Sequence, residues 1–124
     1  MLDSGGVSRL AERSRDTAAL ILALRRRGLW PPIVPSVVLV ECLRGHAGRD
    51  APTNALLRTC DVAGVVPERL ARRAALLRAQ ARHGSAVDAL VVATAEAGGT
   101  VLTSDPKDLE ALAEYADDVN VERI

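Results

Sequence analysis

Four acidic residues stand out because their positions relative to the apolar segments suggest one shared site. Asp3 and Asp105 each directly follow a predicted strand, and in open parallel sheets ligands bind outside the carboxyl ends of the strands. Glu41 lies in an otherwise apolar run, Val37 to Leu43, where a charge is costly unless it faces a partner or a cleft. Asp88 begins another apolar helical segment, so its side chain can point from a helix end into the same crevice.

Carboxylates gathered in one crevice predict a divalent cation. Two carboxylates about 4 Å apart repel by roughly 4 kcal/mol at an effective dielectric constant near 20, so four ionised acids need either a cation or raised pKa values. A ligand set made only of oxygen atoms suits Mg²⁺, with Mn²⁺ as the alternative, and disfavours zinc. Such a site could position a water for attack on a phosphate while the cation offsets the charge that develops there.

Asp3 and Asp105 also have an ordinary explanation as helix caps. Either carboxylate could simply accept a backbone hydrogen bond at the start of the helix that follows it. Asp108 is a rival to Asp105 for the place of the fourth acid. One step along the helix separates a side chain that points into the site from one that points into solvent.

Glu41 and Asp88 have structural alternatives of their own. Ser85 and Asp88 have the Ser-x-x-Asp spacing of a capping box, in which each side chain accepts a hydrogen bond from the backbone of the other residue. Glu41 could form an ion pair with Arg44, three residues further along the same helix. The spacing alone leaves both explanations open.

The elements that must position these acids alternate between strand-like and helix-like segments, which favours a parallel sheet wrapped by helices. Five strands are predicted, at residues 1–3, 33–34, 62–66, 100–104 and 119–122, with 62–66 buried. Helices are predicted at residues 4–27 with a break near Ser14, and at 37–44, 55–59, 67–82, 85–97 and 105–115. The turn-rich stretch from Gly45 to Asn54 is predicted to be a loop.

Length and composition predict one domain, residues 1–124, with a single hydrophobic core. The 16 basic and 16 acidic residues give a formal net charge of zero, so any attraction for a nucleic acid must be local. Trp30 and Tyr115 are the only aromatic residues, which leaves no surface on which successive bases could stack. Modules that read single strands by stacking are therefore disfavoured.

The cysteine count and the hydropathy predict a soluble, cytoplasmic protein. The chain has two cysteines, Cys42 and Cys60, which is fewer than a small secreted disulfide scaffold would carry. No apolar run approaches the roughly 20 residues that a membrane span needs, and the first residues lack the order of a signal peptide.

Other polar residues could also take part in chemistry, although solvated or structural roles explain them well. Cys42 and His46 are four residues apart, but a zinc site needs three or four ligands and no others are found. His83 lies in a connection not far in sequence from Asp88, where it could contact a bound ligand. Arg25 to Arg27 and the arginines of the helix at 67–82 are the available phosphate contacts.

Four stretches of the chain resemble the PIN-domain ribonucleases, and they look most like the VapC toxins of bacterial toxin–antitoxin pairs. The resemblance spans the chain in the family's order, and its most specific part is an Asp-Ala-Leu helix followed by a strand and Thr-Ser-Asp. The stretches that carry it are Leu2 to Ser4, Val34 to Glu41, Ala86 to Ala95 and Val101 to Leu109.

The resemblance implies a three-layer α/β fold with a central parallel sheet in the order 3-2-1-4-5. This order would make Asp3 and Asp105 neighbours. It also implies an acidic site of Asp3, Glu41, Asp88 and Asp105, with the metal on Asp3, Asp88 and Asp105, directly or through water. The implied activity is Mg²⁺-dependent hydrolysis of RNA, which leaves a 5′-phosphate and a 3′-hydroxyl.

The resemblance further implies partners and supporting groups. Ser4 matches a hydroxyl position that supports the first aspartate, and Ser104 could do similar work. A cognate VapB-type antitoxin and a homodimer are expected by the same resemblance. The chain departs from the family pattern because only two apolar residues precede Asp3, so the first strand is expected to be short. The pair Gly5 and Gly6 predicts a loose backbone beside it.

Two other functions fit parts of this pattern. A PIN fold could bind RNA or a protein without cleaving, since the presence of four acids is necessary for catalysis but not sufficient. A phospho-receiver domain also combines parallel strands, an acidic pocket and Mg²⁺, but it needs an aspartate directly after the third strand. Here the predicted third strand runs into Pro67 and Glu68, and Asp61 precedes it.

Overall fold

The computed structural model describes all residues, 1–124, as an α/β protein with seven α-helices and four strands. The helices are α1 (Ser4–Ala11), α2 (Arg15–Arg26), α3 (Leu39–Cys42), α4 (Ala47–Leu57), α5 (Glu68–Ala81), α6 (Ala86–Ala95) and α7 (Lys107–Ala113). The strands are β1 (Ile33–Pro35), β2 (Asp61–Ala63), β3 (Thr100–Thr103) and β4 (Asn120–Arg123). A 3₁₀ turn, Ser36–Val38, leads directly into α3.

The strands form two parallel pairs, and the first residues of the chain lie between them. β1 pairs with β2, and β3 pairs with β4. Leu2 forms an isolated parallel bridge with Leu102 of β3, and its backbone N–H donates to the carbonyl of Ile33 in β1 at 2.9 Å. Four strands are thus present where five were expected. The first is reduced to a single bridge because α1 begins at Ser4, so the order 3-2-1-4-5 stays a prediction.

One helix start and one helix end lie close to the predicted positions. The Oγ of Ser14 accepts a hydrogen bond from the backbone N–H of Thr17 at 3.1 Å, which begins α2 and explains the break after α1. The helix after Pro67 ends at Ala81, where Arg82 adopts a left-handed conformation with φ of 55°. Its C-terminal end therefore turns sharply toward α6.

The stretch predicted as a loop from Gly45 to Asn54 is mostly helix, because α4 begins at Ala47. His46 caps this helix, with its Nδ1 accepting a hydrogen bond from the N–H of Arg49 at 3.3 Å. Pro52 lies inside α4, although proline disfavours the interior of a helix. The helix forms despite these turn residues because its start is held by side chains that accept backbone hydrogen bonds.

The third predicted strand is shorter and more exposed than expected. β2 covers only Asp61–Ala63, and the side chains of Val62 and Val65 are 44% and 79% exposed. The prediction of a buried strand from Val62 to Val66 is therefore wrong. An apolar composition alone does not bury a strand that is paired with only one neighbour.

The hydrophobic core lies where α6, the first residues and β3 meet. Leu2, Val91, Val92 and Val101 are completely buried there. Val7 of α1 is also fully buried, so the segment that carries Asp3 is anchored on both sides. No helix combines the length and the apolar character needed to cross a membrane.

Candidate active site

Asp3 sits at the junction of the bridge residue Leu2 and helix α1, and its side chain is held from two directions. It caps α1, with Oδ1 accepting a hydrogen bond from the N–H of Gly6 at 2.6 Å. Its Oδ2 accepts a hydrogen bond from the Oγ1 of Thr103, at the end of β3, at 2.7 Å. The residue is only 6% exposed. The capping role predicted for Asp3 is therefore real, and it fixes the carboxylate in place.

The pKa of Asp3 is raised above its ordinary value of 3.8, mainly because burial disfavours the charged form. Hydrogen bonds from Thr103 and from the backbone of Gly6 act in the opposite direction but do not outweigh burial. The nearby negative charge of Asp88 raises the pKa further. A positive charge near Asp3 would relieve both unfavourable contributions.

Gly6 allows α1 to lie directly against β3. A β-carbon at Gly6 would overlap the carbonyl oxygen of Leu102 and would lie 3.0 Å from the side chain of Leu2. It would also lie 3.1 Å from the Oδ1 of Asp3. The glycine pair is therefore part of a tightly packed helix, and the loose backbone expected there is wrong.

Asp88 combines the two roles that the sequence left open. The capping box is present: the N–H of Ser85 donates to Oδ2 of Asp88 at 2.7 Å, and the N–H of Asp88 donates to Oγ of Ser85 at 3.0 Å. Asp88 nevertheless lines the same cleft as Asp3 and influences the pKa of that residue. Its Oδ1 makes no hydrogen bond within the protein.

Glu41 reaches the cleft from α3, and its carboxylate is exposed. It forms no ion pair with Arg44, so the structural alternative for Glu41 is wrong. Next to it, burial raises the pKa of the Cys42 thiol to about 11, with smaller contributions from the charges of Glu41 and Asp3. Cys42 is thus a protonated thiol at neutral pH and a poor metal ligand.

Asp105 and Asp108 both line the cleft, and both are exposed. Asp105 does not cap the helix that follows, because Pro106 occupies the capping position of α7 and no side chain bonds there. The N–H of Asp105 donates to the Oγ1 of Thr103 at 3.0 Å. Asp108 lies 3.8 Å from the Nδ1 of His83. The structure brings both candidates for the fourth acid to the same place.

These side chains surround one cleft of about 500 Å³. Its lining contains five carboxylates and a single positive charge, Lys107. The residues of this lining, called the acidic cleft below, are Asp3, Ser4, Gly5, Glu41, Ser85, Asp88, Asp105, Lys107, Asp108 and Leu109.

The donor set of the acidic cleft fits a hard divalent cation, because all its charged ligand atoms are carboxylate oxygens. No three side chains of His, Cys, Asp or Glu lie close enough together to coordinate one ion directly. A small cation that keeps several of its own water molecules suits such a spacing better than an ion held in a closed cage.

Sequence reasoning missed the hydroxyl that supports Asp3. Ser4 and Ser104 were expected in that role, but neither donates to Asp3, and Thr103 does. Thr103 is completely buried and also accepts a hydrogen bond from Asp105, so it links two of the acids. The strand pattern could have indicated Thr103, because it is the last residue of β3 and lies at the same end of the sheet as Asp3.

Comparisons with known proteins agree with this arrangement. No curated protein matches the chain. The family model of the PIN domain matches residues 1–115, which include all five acids of the cleft. On this match over most of its length, the chain belongs to the PIN domain family.

Proposed function

We propose that this protein is a Mg²⁺-dependent ribonuclease whose active site is the acidic cleft. PIN domains are generally metal-dependent nucleases. The observation that carries the proposal is the convergence of five carboxylates on one cleft around Asp3, a buried aspartate whose pKa is raised. Such a concentration of negative charge is costly for the fold and is explained by a bound cation.

Asp3, Asp88 and Asp105 would hold the ion, at least one of them through a water molecule, since no three of the acids are close enough to bind it directly. Each oxygen of Asp3 accepts one hydrogen bond and keeps a further lone pair, and the Oδ1 of Asp88 has no partner. Mg²⁺ is the ion proposed, with Mn²⁺ as an alternative of similar ligand preference. When bound, it would offset negative charge on the scissile phosphate and on the leaving oxygen.

The chain's own groups would orient the reactants. Glu41 is exposed and unpaired, so its carboxylate is available to orient a water and accept its proton. Thr103 and the N–H of Gly6 would favour the ionised form of Asp3 and fix the direction of its carboxylate. Lys107 is the one cation of the acidic cleft that could contact the substrate phosphate. The expected products carry a 5′-phosphate and a 3′-hydroxyl.

The direct test compares cleavage of total RNA by the purified protein with Mg²⁺ and with EDTA. Asp88→Asn keeps an oxygen that can accept the hydrogen bond of Ser85 but removes the charge, so the capping box should survive. We expect cleavage to fall by at least about a hundredfold, as for loss of a metal ligand or its support. In EDTA the melting temperature of the variant should equal or exceed that of the parent, because like-charge repulsion is relieved.

Asp16→Asn is the matched control, because Asp16 is an acid in the first turn of α2 that does not line the acidic cleft. Added Mg²⁺ should raise the melting temperature of the parent and of Asp16→Asn but hardly that of Asp88→Asn, since a ligand stabilises only the form that binds it. A destabilised Asp88→Asn protein that still cleaves at the parent rate would show that Asp88 acts only as a helix cap.

The finer proposal is that the protein is a VapC-type toxin that acts in the cytoplasm, forms a homodimer and is held inactive by a VapB-type antitoxin. A basic side chain of the antitoxin's tail would compete with Mg²⁺ for the carboxylates of the acidic cleft. Expression alone should arrest growth, and co-expression of the adjacent small gene should relieve the arrest. Harmless expression of the folded protein would contradict the toxin proposal but not the nuclease proposal.

A further inference from the structure

A second cleft, of about 660 Å³, adjoins the acidic cleft and carries the opposite charge. It lies at the C-terminal end of α5 and the turn into α6. Its floor is made by the small side chains of Ala75 and Ala79. The lining of this basic cleft is completed by Arg78, Arg82, His83, Gly84 and Asp108. Asp108 also lines the acidic cleft, and Ser85 of that cleft follows Gly84 directly, so the two clefts lie side by side.

Arg69, Arg78 and the C-cap residue Arg82 form no ion pair, and of these only Arg78 and Arg82 line the basic cleft. Arg72 forms an ion pair with Glu68, and Arg73 forms one with Glu96. The positive charges of Arg78 and Arg82 are therefore not neutralised within the protein.

The basic side chains are presented by a backbone with a fixed shape. The Nε of Arg78 donates to the carbonyl of Gly84 at 3.3 Å, which leaves its terminal nitrogens free. Arg82 and Gly84 have positive φ angles of 55° and 79°. A β-carbon at Gly84 would lie 2.6 Å from the side chain of Leu112, so this turn packs closely against α7. The cations are thus held beside the acidic cleft.

We propose that the basic cleft binds the phosphodiester backbone of single-stranded RNA next to the scissile bond. Arg78 and Arg82 would each contact one phosphate as charged donors, and His83 would add a ring N–H. This inference rests on the proposed nuclease function and deepens it. The acidic cleft repels RNA in the absence of cations, and the chain has no net charge, so a neighbouring local attraction is required. Neither Trp30 nor Tyr115 lines either cleft, which leaves the phosphates as the recognised groups.

The test measures binding without cleavage. A fluorescent single-stranded RNA of twelve nucleotides is titrated with protein in EDTA over a range of salt concentrations, with anisotropy as the readout. We expect Arg78→Gln/Arg82→Gln to bind roughly tenfold more weakly at low salt. The plot of log K against log salt should also become less steep by about 1.4, the value for two phosphate contacts on a single strand.

Arg69→Gln/Arg72→Gln is the matched control, because it removes the same charge from the same helix outside both clefts. The ion pair that it breaks, Arg72 with Glu68, is 78% exposed on both sides, so little stability is lost. Arg78→Lys/Arg82→Lys keeps the charges and should keep most of the salt slope. Melting temperatures of all variants show whether each is folded.

Several outcomes separate this inference from the proposed function. Parent-like binding and salt slope in folded Arg78→Gln/Arg82→Gln, or an equal loss in the control pair, would overturn the inference even if the parent cleaves RNA. A parent that binds RNA through these arginines but does not cleave with Mg²⁺ would support the inference and overturn the nuclease proposal. With an active parent, Arg78→Gln/Arg82→Gln should raise KM with little change in kcat, whereas Asp88→Asn should lower kcat.

Discussion

Two aspartates, Asp3 and Asp50, are each only 6% exposed to solvent, but Asp3 is enclosed more deeply by the protein, and their surroundings act on them in opposite directions. Asp50 accepts hydrogen bonds at 3.0 Å from the backbone N–H groups of Arg44 and His46. These bonds, chiefly the one from Arg44, hold the pKa of Asp50 below its ordinary value. For Asp3, burial outweighs the hydrogen bonds from Thr103 and Gly6, so its pKa is raised.

The difference shows that low solvent exposure alone does not mark a functional carboxylate. The charge of Asp50 is compensated by the turn between α3 and α4, and it serves to hold the start of α4. The charge of Asp3 is not fully compensated by the protein, and other acids surround it. A buried acid that lacks compensation within the fold is a better candidate for binding a cation than one that is already satisfied.

The largest expected stability effect comes from removing the compensated carboxylate. Asp50→Ala leaves two backbone N–H groups without their acceptor, so we expect the melting temperature to fall by roughly 10 °C. Asp3→Asn, which keeps an oxygen for the N–H of Gly6, should melt in EDTA at or above the parent temperature. Thermal unfolding followed by circular dichroism measures both. A larger loss of melting temperature in Asp3→Asn than in Asp50→Ala would contradict the distinction between the two aspartates.

The pH dependence of stability should differ in sign between the two residues. Because the folded pKa of Asp50 is lowered, its contribution is present above the ordinary value of 3.8 and is lost as the pH falls through the folded pKa. Because the folded pKa of Asp3 is raised, its contribution is present below 3.8 and is lost as the pH rises through the folded pKa.

Denaturant unfolding of the parent, Asp50→Asn and Asp3→Asn between pH 2.5 and 7 in EDTA tests these signs. Asp50→Asn should be less stable than the parent near neutrality, and the gap should close as the pH falls below about 4. Asp3→Asn should match the parent at low pH and become the more stable protein as the pH rises. If both variants were less stable than the parent near neutrality, or both more stable, the two pKa directions would be contradicted.

The smallest expected effect concerns the coupling between Asp3 and Asp88. The charge of Asp88 is the last of the causes that shift the pKa of Asp3, so Asp88→Asn should lower that pKa without returning it to its ordinary value. Carboxyl ¹³C NMR titration of Asp3 in EDTA measures this directly. Asp16→Asn should leave the titration unchanged. An Asp3 pKa that does not move in Asp88→Asn would show that the two carboxylates do not interact.

The sequence predicted those features that depend on neighbouring residues. The capping box of Ser85 and Asp88, and the helix start at Ser14, are set by side chains that bond to backbone within three residues. These could be recognised from spacing alone. The position of Glu41 in an apolar run likewise indicated a side chain that faces a cleft, and it lines the acidic cleft.

The features that the sequence did not predict depend on contacts between distant segments. The start of α4 depends on the fold of the preceding turn around Asp50, which residue types do not reveal. Thr103 supports Asp3 across a separation of 100 residues. The basic cleft likewise needs the turn after α5 to pack on α7, so its arginines could not be told apart from others on the same helix.

The close approach of α1 to β3 at Gly6 has a consequence for genetic screens. Under the proposed nuclease function, a selection for variants that have lost activity would recover substitutions at Gly6 as readily as substitutions of the acids, because any side chain there pushes on Leu102 and Asp3 together. The two groups would differ in cellular abundance, since the Gly6 variants would be degraded as unfolded protein. Sequencing a library sorted by both activity and protein level would therefore place Gly6 with the residues of the core.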